Sequence, residues 1–148
     1  MPQSLHQVYG HIVFSTKDRA NLIHGEVEKE LYAYIGGIVR DLGAAPIMIN
    51  GMPDHVHLLI RASKKVADMD FIREVKSGSS RWMHGQAVDN FSWQAGYGWF
   101  GVAAKDLDVA RRYVGNQKVP HEATSFQDEL RKFLTQYEIE YDERYLWD

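Results

Sequence analysis

The chain has no cysteine among its 148 residues, which excludes a disulfide framework, a thiolate metal site and a cysteine nucleophile. It has four prolines, and no proline-rich or low-complexity stretch that would mark a linker. No run of about 18 apolar residues occurs, so no transmembrane helix is expected. The start, Met1-Pro2-Gln3-Ser4-Leu5-His6-Gln7, has neither the basic flank nor the apolar core of a secretory signal. These absences point to a cytoplasmic protein with no membrane partner. Excess positive charge is missing too: the net charge is −3, which argues against a general nucleic-acid binder. The balance is uneven, however. From Asp128 to Asp148 seven acids face three bases, a balance of −4 that leaves +1 for everything before it. Bases cluster in that earlier part at Lys64-Lys65, at Arg73, Lys76 and Arg81, and at Arg111-Arg112 with Lys118. A local basic surface is compatible with an acidic whole, and so is a set of ordinary solvated helix faces.

What is present is an ordinary globular mixture, 45% apolar and 25% charged, in a length suited to a single domain spanning 1–148. Residues 8–14 read as a strand. Residues 26–42 read as a helix, with Val27, Leu31, Tyr34, Ile35, Ile38 and Leu42 at spacings of three and four, acids in the first turn and Gly43 as its stop. Residues 46–49 form a second strand, Asn50-Gly51 signals a turn, and His55 to Ile60 forms a third strand. Asp68 to about Met83 is a second helix, weakened at Ser77-Gly78-Ser79-Ser80. Residues 97–103 are extended, and 105–117 form a third helix. A fourth, capped by Thr124 or Ser125, runs from Phe126 to about Tyr137, and the aromatic tail 141–148 docks on the domain. The predicted fold is therefore α+β, a ferredoxin-like or RRM-like β-α-β-β-α-β antiparallel sheet with added C-terminal helices.

The most informative pair is His55 and His57, in Asp54-His55-Val56-His57-Leu58-Leu59-Ile60. Residues two apart on a strand share a face, so both imidazoles point one way while Val56, Leu58 and Ile60 point the other. Neutral imidazole is the commonest protein metal ligand. Taken alone, a His-x-His is more often two surface histidines or one packed and one exposed. Downstream, Tyr113 and Gln117 are four apart and share a helix face. A phenol can act as a nucleophile once deprotonated, and an amide oxygen can bind a hard cation. Alone, such a tyrosine is usually core or interface, and such a glutamine is a surface filler. Together, two imidazoles and an amide oxygen would leave a Mg²⁺ or Mn²⁺ ion with its full positive charge, a strong Lewis acid toward a phosphodiester oxygen. A (β/α)₈ hydrolase, which also uses His-x-His, needs about 250 residues. Gly115 between Tyr113 and Gln117 is either a mobile helix end or the helix terminus.

Met52-Pro53-Asp54-His55-Val56-His57-Leu58-Leu59 resembles the His-hydrophobic-His (HUH) motif of the small single-tyrosine transposases of the insertion-sequence 200/605 group. Tyr113-Val114-Gly115-Asn116-Gln117 resembles their Tyr-x-x-x-Gln helix. Phe91-Ser92-Trp93-Gln94-Ala95-Gly96-Tyr97-Gly98 and Tyr141-Asp142-Glu143-Arg144-Tyr145-Leu146-Trp147 are also similar to segments of that group. The resemblance implies a single HUH transposase catalytic domain in which His55, His57 and Gln117 hold Mg²⁺ or Mn²⁺. Tyr113 would cleave hairpin-marked single-stranded DNA through a 5′-phosphotyrosine link that a 3′-hydroxyl later resolves. It implies a homodimer, with the site completed within one subunit or between two. Alternatives are a domesticated relative acting on repeated palindromic sequences, and a non-catalytic nucleic-acid-binding module. Lys76, Ser79, Arg81 and Arg112 are candidate DNA contacts. Asp54 fits a turn better than support of a ligand histidine, and His11 fits packing better than ligation.

Overall fold

In the computed structural model, residues 2–119 and 125–148 are described. Four strands, β1 (Tyr9–Ser15), β2 (Ala45–Met52), β3 (His55–Arg61) and β4 (Gly98–Val102), form one sheet in the order β2-β3-β1-β4. Every neighbouring pair is antiparallel. Helix α1 (Glu26–Asp41) joins β1 to β2, and α2 (Asp68–Gly85) joins β3 to β4. This is the expected ferredoxin-like β-α-β-β-α-β arrangement. Among the described residues no helix is long and apolar enough to cross a membrane.

The two faces of the sheet follow from the strand period of two. Ile12, Phe14, Val56, Leu58 and Ile60 face one way and are buried against Leu31, Ile35 and Val39 of α1 and Phe71, Ile72 and Val75 of α2. Gly43 ends α1 as expected. It sits at φ +85° and its N–H bonds to the Arg40 carbonyl at 2.9 Å, the left-handed stop that glycine adopts without steric cost. The second helix is not broken at its serines: the Ser79 hydroxyl bonds back to the Val75 carbonyl at 2.6 Å, and the helix continues to Gly85.

The opposite face carries His11, Val13, His55, His57 and Phe100. The C-terminal helices α3 (Leu107–Gly115) and α4 (Phe126–Gln136) cover it. Phe126, Leu130 and Leu134 of α4 pack on Val13 and Phe100. The Ser125 hydroxyl accepts from the Asp128 N–H at 3.1 Å and caps α4; Thr124 lies outside the described residues. The tail does dock. Trp147 packs on Phe126 and beneath the Arg131 guanidinium, while the Asp148 carbonyl accepts from the Gly96 N–H at 2.9 Å.

Two local expectations change. Asn50-Gly51 is not a turn: β2 runs through it to Met52, and Pro53-Asp54 makes the reversal. Gly51 is needed for another reason, because a Cβ there would lie 2.2 Å from the His55 carbonyl oxygen. The third helix stops at Gly115, leaving Gln117 in the turn beyond it. Of the two readings of Gly115, the terminus is the one observed.

Candidate metal and nucleophile site

His55 and His57 project from β3 into the gap between the sheet and the C-terminal helices. Both side chains are buried, that of His57 completely. Each is held by its Nδ1. Asp54 sets an oxygen 2.7 Å from His55 Nδ1, and His11 sets its Nε2 2.7 Å from His57 Nδ1. In the neutral imidazole one nitrogen donates and the other carries a lone pair. With Nδ1–H directed to these partners, the tautomer a metal ligand needs, both Nε2 lone pairs would face the same space. Outer partners of this kind fix tautomer and ring orientation in metal sites.

That space has a third wall, Glu129 of α4, which had no role in the sequence reading. Its Oε1 lies 2.8 Å from His57 Nε2 and 3.5 Å from His55 Nε2. The two Nε2 atoms and this oxygen are all buried and none has a hydrogen-bond partner, and the ligand atoms lie within 4.8 Å of one another. With both imidazoles in that tautomer, three lone-pair donors meet and repel unless a proton or a metal cation stands between them. This donor set fits a divalent ion on the chain's own geometry. Imidazole suits first-row transition metals and carboxylate suits Mg²⁺ and Mn²⁺.

Tyr113 lies beside the same cluster, in the same chain. Its hydroxyl donates to Glu129 Oε2 at 2.5 Å, and its ring sits 5.8 Å from that of His57 and 5.9 Å from that of His11. The residue is 38% exposed, so the phenol is at the rim of the site and not sealed in apolar packing. Gln117 is adjacent: its amide donates to the Tyr113 carbonyl at 3.3 Å. The end of α3 is fastened to the sheet. Asn50 donates to the Gly115 carbonyl at 3.2 Å, and Lys118 binds Glu28 at 2.6 Å and the Gly51 carbonyl.

Burial and charge set the protonation pattern. Burial, with His57 alongside, pushes the His11 pKa down to about 3, and burial also lowers that of His57. His55 is likewise disfavoured by burial, but the Asp54 and Glu129 carboxylates beside its two nitrogens outweigh this and raise it. Glu129 ionises more easily than a free glutamate: burial opposes this, and the His55 and His57 imidazoles beside its carboxylate overcome it. Tyr113 is raised, first by burial and then by its bond to Glu129, so the phenol rests protonated.

The candidate DNA contacts fare differently. Lys76 and Ser79 are structural. Lys76 Nζ donates to the Gln94 and Gly96 carbonyls at 2.8 and 2.7 Å, and burial lowers its pKa to about 8. Ser79 is fully buried and accepts from Trp93 Nε1 at 2.9 Å. Neither is free to meet a phosphate. Arg81 and Arg112 are exposed, but they lie on helices packed on opposite faces of the sheet, so the four do not form one patch.

Three positions at the site do more than the sequence alone assigned them. His11 is packed, as expected, yet its Nε2 also makes the hydrogen bond behind His57. Asp54, which makes the expected turn, also holds His55. Glu129 had one visible signal: a carboxylate placed among the apolar positions Phe126, Leu130, Phe133 and Leu134 of an amphipathic helix.

A ferredoxin-like sheet thus carries two histidines on a central strand with a tyrosine from a later helix beside them. The chain belongs to the IS200-like transposase family, described as "Transposase IS200 like", whose model matches residues 4–117. It is 34% identical over 79 residues to the ISDra2 transposase TnpA of Deinococcus radiodurans; the match spans 53% of this chain and 56% of that protein, about half of its length. Two solved structures share the fold. One, from Deinococcus radiodurans R1 at 1.90 Å resolution and reported as a transposase, has a TM-score of 0.63 at 24% identity. It covers 79% of this chain and 98% of its own. The other, a REP-associated tyrosine transposase bound to a REP hairpin, has a TM-score of 0.61 at 16% identity, covering 84% and 74%.

Proposed function

We propose that the protein is a metal-dependent DNA strand transferase that cuts and rejoins single-stranded DNA at hairpin-marked ends through a 5′-phosphotyrosine intermediate. The observation that carries this reading is the meeting, within one chain, of two imidazole nitrogens and a phenol hydroxyl around one partly buried carboxylate.

His55 and His57 would hold a Mg²⁺ or Mn²⁺ ion, with Gln117 at its side. When bound, the ion supplies Lewis-acid polarisation of a phosphodiester oxygen and positive charge that favours a nearby phenolate. Tyr113 is the nucleophile. Its oxygen attacks phosphorus, the bond from phosphorus to the 3′-oxygen breaks, and the phosphoryl group remains on the tyrosine. A 3′-hydroxyl then attacks the same phosphorus and releases the phenol, so one phosphoester is exchanged for another and no ATP is needed. Asp54 and His11 keep the imidazoles aimed. Single-stranded DNA carrying a hairpin is the proposed substrate, and a homodimer the proposed assembly. Because Tyr113 already stands against its own chain's histidines, the chemistry does not need a helix from a second subunit.

The experiment is adduct capture. With Mn²⁺ and hairpin-bearing single-stranded oligonucleotides drawn from DNA flanking the gene, the wild type should form a denaturation-resistant protein–DNA species. Chelator and Tyr113→Phe should each abolish it. An equal adduct from Tyr113→Phe would remove Tyr113 from its role. Hairpin binding that ignores chelator, with no covalent product, would favour a non-catalytic binding module.

A further inference from the structure

We propose that Glu129 couples occupancy of the cation site to placement of the nucleophile, with Oε1 as a ligand beside His55 and His57 and Oε2 as the acceptor that holds the Tyr113 hydroxyl. This rests on the reading above for Tyr113, and adds to it a residue from a helix outside both sequence motifs.

The first support is position. Glu129 stands among Phe126, Leu130 and Phe133 of α4, where an apolar side chain would complete the stripe. Only 16% of its side chain is exposed. A carboxylate buried among apolar groups is costly unless its charge is matched. Its two oxygens have different partners. Oε2 takes the Tyr113 hydroxyl hydrogen bond, while Oε1 is buried against two Nε2 atoms and forms no hydrogen bond. The unsatisfied half is therefore the one that points where a cation would sit.

The second support is chemistry. Two imidazoles and a glutamine amide are all neutral. Exchanging or supplementing the amide with a carboxylate adds one negative charge, which hard divalent ions with oxygen preference favour. Gln117 sits beyond the end of α3, with its amide directed to the Tyr113 backbone. Glu129 is held instead by a capped helix whose buried residues pack on Val13 and Phe100. A carboxylate that bridges ion and phenol also fixes the distance between them. Loss of the ion then releases one end of the bridge, and loss of Glu129 releases both.

The test uses the full chain. Mn²⁺ affinity is measured by electron paramagnetic resonance for wild type, Glu129→Gln, Glu129→Ala and Tyr113→Phe. Adduct formation is measured in parallel against Mn²⁺ concentration. Both Glu129 variants should lose affinity by about tenfold or more, the scale on which even outer partners of a metal site act. Tyr113→Phe, which keeps all proposed ligands, should change Mn²⁺ affinity by far less than the Glu129 variants, the residual change measuring the coupling through Glu129. At saturating Mn²⁺, Glu129→Gln should still form adduct more slowly, because the phenol has lost its ionic acceptor. Unchanged or tighter Mn²⁺ binding in the Glu129 variants would overturn the ligand assignment, tighter binding marking Glu129 as a plug. Weaker binding with a wild-type adduct rate at saturation would overturn the coupling. Thermal unfolding checks each variant; if Glu129→Ala fails to fold, the near-isosteric Glu129→Gln carries the test. Absence of adduct from the wild type itself would count against the proposed function, while the Mn²⁺ titration would still decide the ligand.

Discussion

Gly51→Ala isolates the steric requirement at the foot of the histidine strand. Gly51 pairs with Val56 across β2 and β3, one residue from each histidine of the pair. A Cβ built on it would lie 2.2 Å from the His55 carbonyl oxygen, 2.9 Å from the Val56 Cα and 3.1 Å from the Tyr32 hydroxyl. The two closest atoms are backbone, so no side chain can swing away and the strands themselves must separate. Overpacking that moves backbone costs about 1–3 kcal/mol and sometimes more; two backbone contacts under 3 Å place this case near the upper end, about 3 kcal/mol. For a chain of this length about 1 kcal/mol shifts Tm by roughly 3 °C, so a fall of roughly 9 °C is expected.

Gly101→Ala is the matched control. It is also a strand glycine, on β4, and a Cβ there meets nothing within 4 Å. Alanine reduces unfolded-state freedom there, so the change should be neutral or stabilising by up to about 1 kcal/mol. The two variants and the wild type would be compared by urea and thermal unfolding followed by circular dichroism. Equal stability of Gly51→Ala and Gly101→Ala would refute the argument that close approach, and not strand propensity, fixes glycine at 51.

In the metal-free protein, stability should rise with pH up to about 6.5 through His11 and His57. Their folded pKa values lie below the unfolded one, so the unfolded chain binds more protons in that window, with a slope of up to about 1.4 kcal/mol per pH unit for each such group. His55, raised in the fold, contributes in the opposite sense: its stabilisation is complete below 6.5 and is lost as pH rises through its folded value. Urea midpoints at pH 7 and 5.5 would measure the sum, and His11→Gln, which keeps an acceptor for His57 but cannot titrate, should flatten the profile. Ser125→Ala removes the α4 cap and should cost about 1 kcal/mol by urea unfolding, lowering the stability of the helix that carries Glu129.

The local chain determined a good deal. Alternation in Asp54–Ile60 put His55 and His57 on one face and Val56, Leu58 and Ile60 on the other, since strand period is a property of the backbone alone. The order of strand and helix patterns was enough to define a ferredoxin-like sheet, whereas the shared helix face expected for Tyr113 and Gln117 does not form, because α3 ends at Gly115. Tertiary structure decided what meets those side chains. His11 reaches His57 only because β1 and β3 pair in a register that sets Val13 opposite His57, and register is a long-range relation that no local pattern carries. Asn50-Gly51 reads as a turn by composition, but pairing with β3 draws it into a strand. Ser79 and Lys76 look like polar surface until Trp93 and the 94–96 carbonyls close over them. Glu129 lies 72 residues after His57 in a helix with no motif of its own, and only the packing of α4 on the sheet turns that distance into 2.8 Å.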